Sequence, residues 1–393
     1  MFELVLLIIL DGLGIGELPD ADKFNDAGSA TLQHILEQTS VALPALGSLG
    51  IFKLIGFRVK PHEPDVIGLY GKMAEKSAGK DTTTGHWEIA GVIRDKPPKT
   101  YPHGFPQALL RELSLRTGYE FLGNYPASGT AIIQELGREH LNTGKPIIYT
   151  SADSVFQVAA HKDVVPLEKL YFICETAREL CQGEWEVDRV IARPFEGSLE
   201  KGFVRTSERR DYSIAPPRNY LDLLKESGVP VVLIGKLEDI FAGRGFTHSI
   251  HTTSNRATLD ALNGAIQGSN FGLVFANLSD FDTLYGHRND VVGFAKALEE
   301  FDEWLSETLA SLGENALLVI TADHGNDPST PSTDHSREYV PLLVYYRGAE
   351  TASEKCLGVR ESFSDLGATI CENFGIKPSL AGKSFLNALI VRP

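Results

Sequence analysis

Short aliphatic runs without polar alternation recur along the chain and predict strands that are buried on both faces. The clearest runs are 4–10, 231–234, 271–276, 316–320 and 340–345. Residues 291–312 place large apolar side chains at helical spacing, with Asp and Glu in the outer positions, which predicts a covering helix. The whole pattern predicts an α/β fold in which helices cover a mostly parallel sheet.

Two proline pairs interrupt this pattern and predict the domain boundaries. Pro97-Pro98 and Pro216-Pro217 favour extended connections that could act as hinges. The segment between them has strand-like runs and a helical pattern of its own, and it is long enough to form a domain. The predicted domains are a core formed by 1–97 and 217–393 and an inserted α+β cap formed by 98–216.

Composition narrows the class of protein. The chain has 393 residues, a formal net charge of −15 and four cysteines without a CxxC pair. The negative charge argues against general binding to nucleic acid, and so few cysteines are typical of a reducing compartment. No Lys or Arg precedes the run 4–10 and Asp11 ends it, so we interpret it as a strand and not as a signal sequence. No stretch has the roughly 20 apolar residues of a membrane span, and a cytosolic location is expected.

Potential metal ligands follow the predicted strands. Asp11 ends the first run, and the pair Asp323-His324 comes shortly after the run 316–320. Because the carboxyl ends of parallel strands share one edge of a sheet, side chains in these positions meet in one crevice. Asp280 and Asp282 follow the run 271–276, which gives the candidate carboxylates and imidazoles Asp11, Asp280, Asp282, His287, Asp323, His324 and His335. Such a set is enough for two divalent ions, and Zn, Mn, Fe or Co would suit it.

Simpler interpretations exist for single residues. Asp11 could cap a helix, and His335 could be an ordinary loop histidine. The glycines at 12, 14 and 16 resemble a dinucleotide-binding loop, but their spacing differs from GxGxxG and Asp11 would repel a pyrophosphate. Because three strand ends carry potential ligands together, metal binding is favoured over these interpretations.

The segment 79–88, with the sequence GKDTTTGHWE, supplies candidate hydroxyl nucleophiles. Its glycines allow the backbone to approach an anion, and its three consecutive threonines offer hydroxyl groups. A Thr/Gly turn at the start of a helix is the simpler interpretation. Metal coordination lowers the pKa of a hydroxyl, so a threonine beside a metal site could act as a nucleophile.

This segment and three further motifs carry a family resemblance. The motifs are DGLGIG at 11–16, DTTTGHWE at 81–88, DFDTLYGHRND at 280–290 and TADHGNDP at 321–328. They resemble the phosphopentomutases of the alkaline phosphatase superfamily, and the likeness spans nearly the full chain. DHGN marks the superfamily as a whole, whereas DTxxGHWE and YGHRND are much narrower. The resemblance implies an alkaline-phosphatase-like core.

The resemblance also implies roles for the candidate residues. One ion would be bound by Asp11, Asp323 and His324, and the second by Asp282, His287 and His335. Thr82 would be the threonine that becomes phosphorylated, with Thr83 and Thr84 as neighbouring hydroxyls. Mn²⁺ is the expected metal, and glucose 1,6-bisphosphate is the expected activator.

Substrate contacts are expected mainly from the inserted cap. Asp153 in TSADS and Arg193 in ARPF look like substrate contacts of the family, and Lys236 is a weaker candidate. An arginine fork suits a phosphate that is held and not transferred, and a carboxylate can bind ribose hydroxyls. Closure of the cap would exclude water during phosphoryl transfer.

The expected reaction, in nucleoside salvage, interconverts ribose 1-phosphate and ribose 5-phosphate, and the 2-deoxyribose pair, through a phosphothreonine enzyme and a 1,5-bisphosphate. The alternatives are a metal-dependent phosphomonoesterase and a cofactor-independent phosphoglycerate mutase, whose usual nucleophile is serine. A metal-binding protein without turnover would require an incomplete site. Phosphopentoses are the expected partners, without nucleic acid or membrane, and the sequence leaves the oligomeric state open.

Overall fold

The chain forms two compact units. The computed structural model describes residues 1–58, 64–151, 153–268, 270–352 and 355–390. Unit 1 consists of Met1–Lys96 and Pro216–Pro393, and unit 2 consists of Pro97–Ala215. Each boundary differs by one residue from the boundary that the proline pairs predict.

The secondary structure alternates between strands and helices. The strands are β1 Leu4–Leu10, β2 Leu69–Met73, β3 Leu122–Pro126, β4 Ile147–Thr150, β5 Val155–His161, β6 Arg189–Ser198, β7 Gly202–Arg205, β8 Arg210–Ser213, β9 Val231–Ile234, β10 His248–Ile250, β11 Gly272–Leu278, β12 Ala316–Thr321, β13 Val340–Tyr345 and β14 Cys356–Arg360. The helices are α1 Thr31–Gln38, α2 Pro44–Ser48, α3 Ile51–Ile55, α4 Thr82–Ile89, α5 Gln107–Thr117, α6 Gly129–Thr143, α7 Leu167–Leu180, α8 Tyr220–Glu226, α9 Leu237–Ile240, α10 Asn255–Gly268, α11 Val291–Ser311, α12 Ser364–Asn373 and α13 Leu386–Leu389. Among the described residues, no helix combines the length and the apolar character that crossing a membrane requires.

The sheet of unit 1 has the strand order β10-β9-β11-β1-β12-β13-β2-β14. The first five strands run parallel, whereas β13 is antiparallel to both of its neighbours. Every residue of β1, β11 and β12 is buried, as expected for central strands that are covered on both faces. The predicted α/β class with a mostly parallel sheet is confirmed.

The bounds of the five apolar runs agree closely with those of five strands in this sheet. Three of the five runs coincide with β1, β9 and β13, and the other two end within two residues of β11 and β12. The predicted covering helix corresponds to α11. The prediction missed three strands of this sheet. The strands β2 and β14, with the sequences LYGKM and CLGVR, contain polar or glycine residues in place of a continuous apolar run, and β10 has only three residues.

The register of the central strands brings their carboxyl ends into line. Leu10 of β1 pairs with Leu278 of β11, and Ile9 pairs with Thr321 of β12. Asp11 therefore leaves the sheet next to the turn that follows β11 and next to the segment that follows β12. This edge of the sheet positions the candidate metal ligands.

Unit 2 is built on a second, mixed sheet with the order β3-β4-β5-β6-β7. The strand β7 pairs with residues 195–198 of β6, and β8 pairs with residues 189–192 of β6. On one face, side chains of β5 such as Phe156 pack with α5 and α7. On the other face, Tyr149 and Phe195 pack with Ile132 and Ile133 of α6. Unit 2 therefore has its own core on both faces of its sheet.

Candidate metal centre

One group of candidate ligands consists of Asp282, His287 and His335, whose ligand atoms all lie within 4.8 Å of one another. Asp282 belongs to a π-helical turn, Phe281–Tyr285, directly after β11, and His287 belongs to the 3₁₀ turn that follows it. His287 Nε2 lies 3.2 Å from Asp282 Oδ2, and His335 Nε2 lies 3.4 Å from Asp282 Oδ1. The structure thus brings together the three residues that the family resemblance assigns to one ion.

A second group consists of Asp11, Asp282 and His324, again with ligand atoms within 4.8 Å of one another. His324 Nε2 lies 3.4 Å from Asp11 Oδ1 and 3.2 Å from Asp323 Oδ2. The resemblance implies Asp11, Asp323 and His324 for this ion. In the structure Asp323 lies beside His324, while Asp282 completes the compact group.

The histidines are oriented in a way that suits metal binding. His287 Nδ1 lies 2.6 Å from the carbonyl oxygen of Thr333, and His324 Nδ1 lies 3.0 Å from that of Gly325. A carbonyl accepts only, so each Nδ1 carries the proton and donates it. Nε2 is therefore the ring atom that faces the carboxylates and would bind an ion after losing its proton, which is the usual arrangement for ligating histidines.

Burial and mutual charge shape the electrostatics of the centre. Burial and the neighbouring Asp323 raise the pKa of Asp11 to about 6. Burial also opposes ionisation of Asp282, but His335 and His287 hold its pKa well below the usual value. Burial would lower the pKa of His324, yet Asp323 and Asp11 raise it well above the usual range. The carboxylates and imidazoles therefore stabilise one another's charged forms.

Several buried ligand atoms have no hydrogen-bond partner among the described residues. These atoms are Asp11 Oδ1, Asp323 Oδ2 and His335 Nε2. Buried polar atoms normally have a partner, because leaving one without costs about 1–3 kcal/mol. Each of the three lies within 3.4 Å of a side-chain atom of the same centre without forming a hydrogen bond, and divalent cations would be partners for them. The donor set therefore fits the two ions that the sequence predicts.

Two buried asparagines orient the carboxylates. Asn277 Nδ2 donates to Asp11 Oδ2 at 3.0 Å, and Asn326 Nδ2 donates to Asp282 Oδ1 at 2.6 Å. The sequence analysis assigned neither a role. The available signal was a polar residue at the end of an apolar strand for Asn277, and the DHGN motif itself for Asn326.

The glycine-rich opening contacts a buried glutamate. A Cβ on Gly14 would lie 2.2 Å from Glu338 Oε2, so only glycine leaves room for this carboxylate. Glu338 accepts hydrogen bonds from Gly16 N, Thr31 N and Ser336 Oγ at 3.0, 3.0 and 2.7 Å. Close packing explains this glycine, and no dinucleotide loop is needed.

The candidate nucleophile lies at the start of helix α4. Asp81 is the N-cap and accepts hydrogen bonds from Thr84 N at 3.1 Å and from Thr84 Oγ1 at 2.5 Å. Thr82, the first residue of the helix, has its Oγ1 3.1 Å from His324 Nε2. The hydroxyl of Thr84 is therefore bound to the cap, whereas that of Thr82 faces the candidate ligands. The helix N-terminus also favours a negative charge at this position.

The candidate substrate residues are more widely distributed. Lys236 follows β9 at the sheet edge that carries Asp11, whereas Asp153 and Arg193 belong to unit 2. Asp153 is exposed and precedes β5, while Arg193 pairs with Ala159 in the middle of the β5–β6 pair. The structure thus does not bring Asp153 and Arg193 side by side, because several residues at roughly 3.3 Å each separate them along the strands.

Arg193 lies near further arginines. Its Nε donates to Gln157 Oε1 at 3.1 Å, and Arg205 Nη2 donates to the hydroxyl of Tyr149 at 3.1 Å. Burial, Arg209 and Arg205 together lower the pKa of Arg193 to about 10. These guanidinium groups repel one another, and an anion placed among them would relieve that repulsion.

Comparison with known proteins places the chain in a family. Residues 3–378 match the model of the Metalloenzyme superfamily. The phosphopentomutase of Caldanaerobacter subterraneus subsp. tengcongensis is 55% identical over 390 residues, which cover 99% of this chain and 98% of that protein. The phosphopentomutase of Dictyoglomus turgidum is 52% identical over 386 residues, which cover 98% of this chain and 97% of that protein. The chain belongs to the phosphopentomutase family.

Membership of the phosphopentomutase family confirms the resemblance drawn from the four motifs, and it makes the chain an isomerase. The metalloenzyme match agrees with the two groups of candidate ligands at the edge of the sheet. A phosphoglycerate mutase of Leishmania mexicana, solved at low cobalt concentration, is 12% identical and aligns over 98% of this chain and 97% of that chain with a TM-score of 0.49.

Proposed function

We propose that this enzyme interconverts ribose 1-phosphate and ribose 5-phosphate, and the corresponding 2-deoxyribose phosphates, through a phosphorylated Thr82. The observation that carries the proposal is the position of Thr82 Oγ1, 3.1 Å from His324 Nε2 at the N-terminus of α4. Family membership gives the reaction class, and this position supports Thr82 as the phosphoryl carrier.

The metal ions of the proposal are two divalent cations, with Mn²⁺ as the expected metal. Asp282, His287 and His335 would hold one ion, and Asp11, His324 and the adjacent Asp323 would hold the other. Bound there, the ions would lower the pKa of a hydroxyl and neutralise charge on a phosphoryl group. The buried ligand atoms without a hydrogen-bond partner, and the Nε2 atoms that face the carboxylates, support this assignment.

In the proposed reaction the phosphoryl group passes only between Thr82 and the sugar, and none is transferred to water. Phosphorylated Thr82 donates its phosphoryl group to the free hydroxyl of the pentose monophosphate, and the proton of that hydroxyl passes to the Thr82 oxygen. The product is a 1,5-bisphosphate. Transfer of its other phosphoryl group back to Thr82 releases the isomer, and glucose 1,6-bisphosphate would load Thr82 initially.

Substrate binding is proposed for Arg193, Asp153 and Lys236. Arg193 would hold the phosphate that is not transferred, since its fork lies near Arg205 and Arg209 and an anion would offset their repulsion. Asp153 is exposed and could accept hydrogen bonds from ribose hydroxyls. Lys236 follows a strand end at the metal-bearing edge, which suits contact with a phosphate.

Phosphorus NMR tests the reaction directly. The protein is incubated with Mn²⁺, ribose 1-phosphate and a trace of glucose 1,6-bisphosphate, and ribose 5-phosphate and inorganic phosphate are followed together. Growth of ribose 5-phosphate without matching inorganic phosphate is expected. Inorganic phosphate as the main product would mean that water is the acceptor and that the enzyme is a phosphomonoesterase.

Three variants, assayed for the rate of interconversion and for the KM for ribose 5-phosphate, test the residue assignments. Thr82→Ala should lower the rate by about 1,000-fold or more, as loss of a nucleophile does, and Thr83→Ala should stay within about threefold of the parent. Arg193→Gln should raise the KM for ribose 5-phosphate by about 10-fold or more, since a charged hydrogen bond is lost. Activity that survives Thr82→Ala, or a KM that Arg193→Gln leaves unchanged, contradicts the corresponding role.

A further inference from the structure

His86 is a buried side chain that belongs to neither group of ligands. It is fully buried on α4, one turn after Thr82, and its ring stacks on Phe275 with the ring centroids 6.0 Å apart. Its Nδ1 lies 2.8 Å from the carbonyl oxygen of Thr82 and 3.1 Å from Asp323 Oδ2. One ring nitrogen therefore contacts both the residue that carries the proposed nucleophile and a proposed metal ligand.

The hydrogen bond to Thr82 fixes the orientation of the His86 ring. A carbonyl oxygen accepts only, so Nδ1 carries a proton and donates it. The same positive edge of the ring faces Asp323 Oδ2, which has no hydrogen bond of its own. The other oxygen of this carboxylate, Oδ1, accepts from Gly12 N at 3.2 Å. Asp323 is thus held on one side by the backbone and on the other by His86, while Oδ2 keeps its bonding capacity.

Gly85 allows this contact. A Cβ at this position would lie 2.0 Å from the carbonyl oxygen of Asp323, which is backbone and cannot rotate away. Helix α4 therefore rests directly on the Asp323 main chain, and the next residue, His86, reaches the Asp323 side chain. Backbone and side-chain contacts together set the distance between the helix N-terminus and this carboxylate.

We propose that His86 is a positioning residue that fixes the Asp323 carboxylate relative to Thr82. The inference rests on the proposed function, in which Asp323 binds a metal ion and Thr82 carries the phosphoryl group. Partners of ligating carboxylates commonly change metal affinity or activity by about 10- to 100-fold when they are removed. Loss of the His86 donor should therefore weaken metal binding and slow transfer without altering the sugar contacts.

A matched pair of variants tests this role. In His86→Asn the amide nitrogen can occupy the place of Nδ1 and donate to the Thr82 carbonyl. His86→Leu has nearly the same size and shape but no donor, so both variants create a similar cavity beside Phe275. Mn²⁺ affinity is measured from the electron paramagnetic resonance signal of free Mn²⁺, together with kcat, KM and the melting temperature of the metal-free protein.

The expected result separates the two variants. His86→Leu should weaken at least one Mn²⁺ site by about 10- to 100-fold and lower kcat, with KM for ribose 5-phosphate unchanged within about twofold, and His86→Asn should restore most of the affinity. Equal melting losses with unchanged Mn²⁺ affinity in both variants would overturn the proposal and leave a packing role. Two other results would instead overturn the proposed function: a parent protein that binds no Mn²⁺, or a Thr82→Ala variant that keeps the activity of the parent.

Discussion

Asp282 is a member of both groups of candidate ligands, and its two carboxylate oxygens face different histidines. Both histidines belong to the same group, so the two oxygens would serve one proposed ion, and the closeness of Asp282 to Asp11 and His324 would place its charge near the other. Asn326 holds the orientation by donating to Oδ1. The arrangement makes Asp282 the residue whose loss should disturb both ions together.

Asp282→Asn should reduce the Mn²⁺ retained after dialysis to less than about half, because one proposed ion loses an anionic ligand and the other loses a nearby negative charge. Metal content is measured by mass spectrometry of the dialysed protein. Asp280→Asn is the matched control, since Asp280 is also buried and accepts from Asn255 N at 2.6 Å at the start of α10. Full loss of one ion with complete retention of the other would mean that Asp282 serves a single ion.

At the residue scale, the sequence located the candidate ligands because each polar residue follows an apolar strand or lies in a loop between strands. It did not reveal the contacts of Asn277, Asn326 and His86, since each depends on a partner that is distant in the chain. Nor did it reveal that Asp282 reaches both groups. Asp280 and Asp282 both follow β11, and the conformation of that turn decides which of them lies beside His287 and His335. The sequence pattern does not define the turn.

Helix α4 is the element that joins the nucleophile to the metal ligands. Asp81 caps it, Thr82 begins it, and Gly85 contacts the Asp323 main chain. In most helices Gly→Ala is stabilising by roughly 0.5–1 kcal/mol, because alanine has the higher helix propensity. At Gly85 the steric conflict with a carbonyl oxygen reverses this expectation.

Gly85→Ala should displace α4 from Asp323 and lower both activity and Mn²⁺ affinity by about 10-fold or more, an effect comparable to misplacing a catalytic group. Gly264→Ala is the matched control, because Gly264 is an exposed helical glycine with open space around it in α10. The control should keep full activity and melt at the same or a slightly higher temperature. Equal activity in both variants would show that α4 tolerates the shift.

At the element scale, continuous apolar runs were sufficient to predict the buried parallel strands. They carried no information about direction, since a strand buried on both faces has the same composition in either orientation. For this reason β13 was found as a strand, while its antiparallel pairing with β12 and β2 was not foreseen. The LYGKM strand β2 has alternating burial, and its central glycine and lysine concealed it.

At the scale of the whole molecule, unit 2 has its own core and its own buried polar contacts. His140 Nδ1 donates to the carbonyl oxygen of Lys145 at 2.8 Å, and His140 Nε2 accepts from His161 N at 2.9 Å. Burial lowers the pKa of His140 below its usual value of 6.5. Protonation of Nε2 would remove the acceptor that His161 N requires.

Unit 2 should therefore lose stability as the pH falls below about 6.5, where the unfolded chain binds a proton at His140 and the folded chain resists it. Hydrogen exchange of residues 129–161 at pH 7.5 and 5.5 should show faster opening at the lower pH. His140→Gln should reduce this difference. His103→Gln, at an exposed histidine of the same unit, should leave the difference in exchange between the two pH values unchanged. The same change in that difference in both variants would contradict the assignment of the pH dependence to His140.

Strand β1 lies at the centre of the unit 1 sheet, and both of its neighbours, β11 and β12, follow the insertion in the chain. During translation the ribosome therefore completes all of unit 2 before it has made either partner of β1. Unit 2 is continuous in sequence and can fold at that stage, while the apolar LVLLIIL segment still lacks both neighbours. The insertion thus lengthens the period in which the nascent chain carries an unpaired hydrophobic strand that a chaperone could bind.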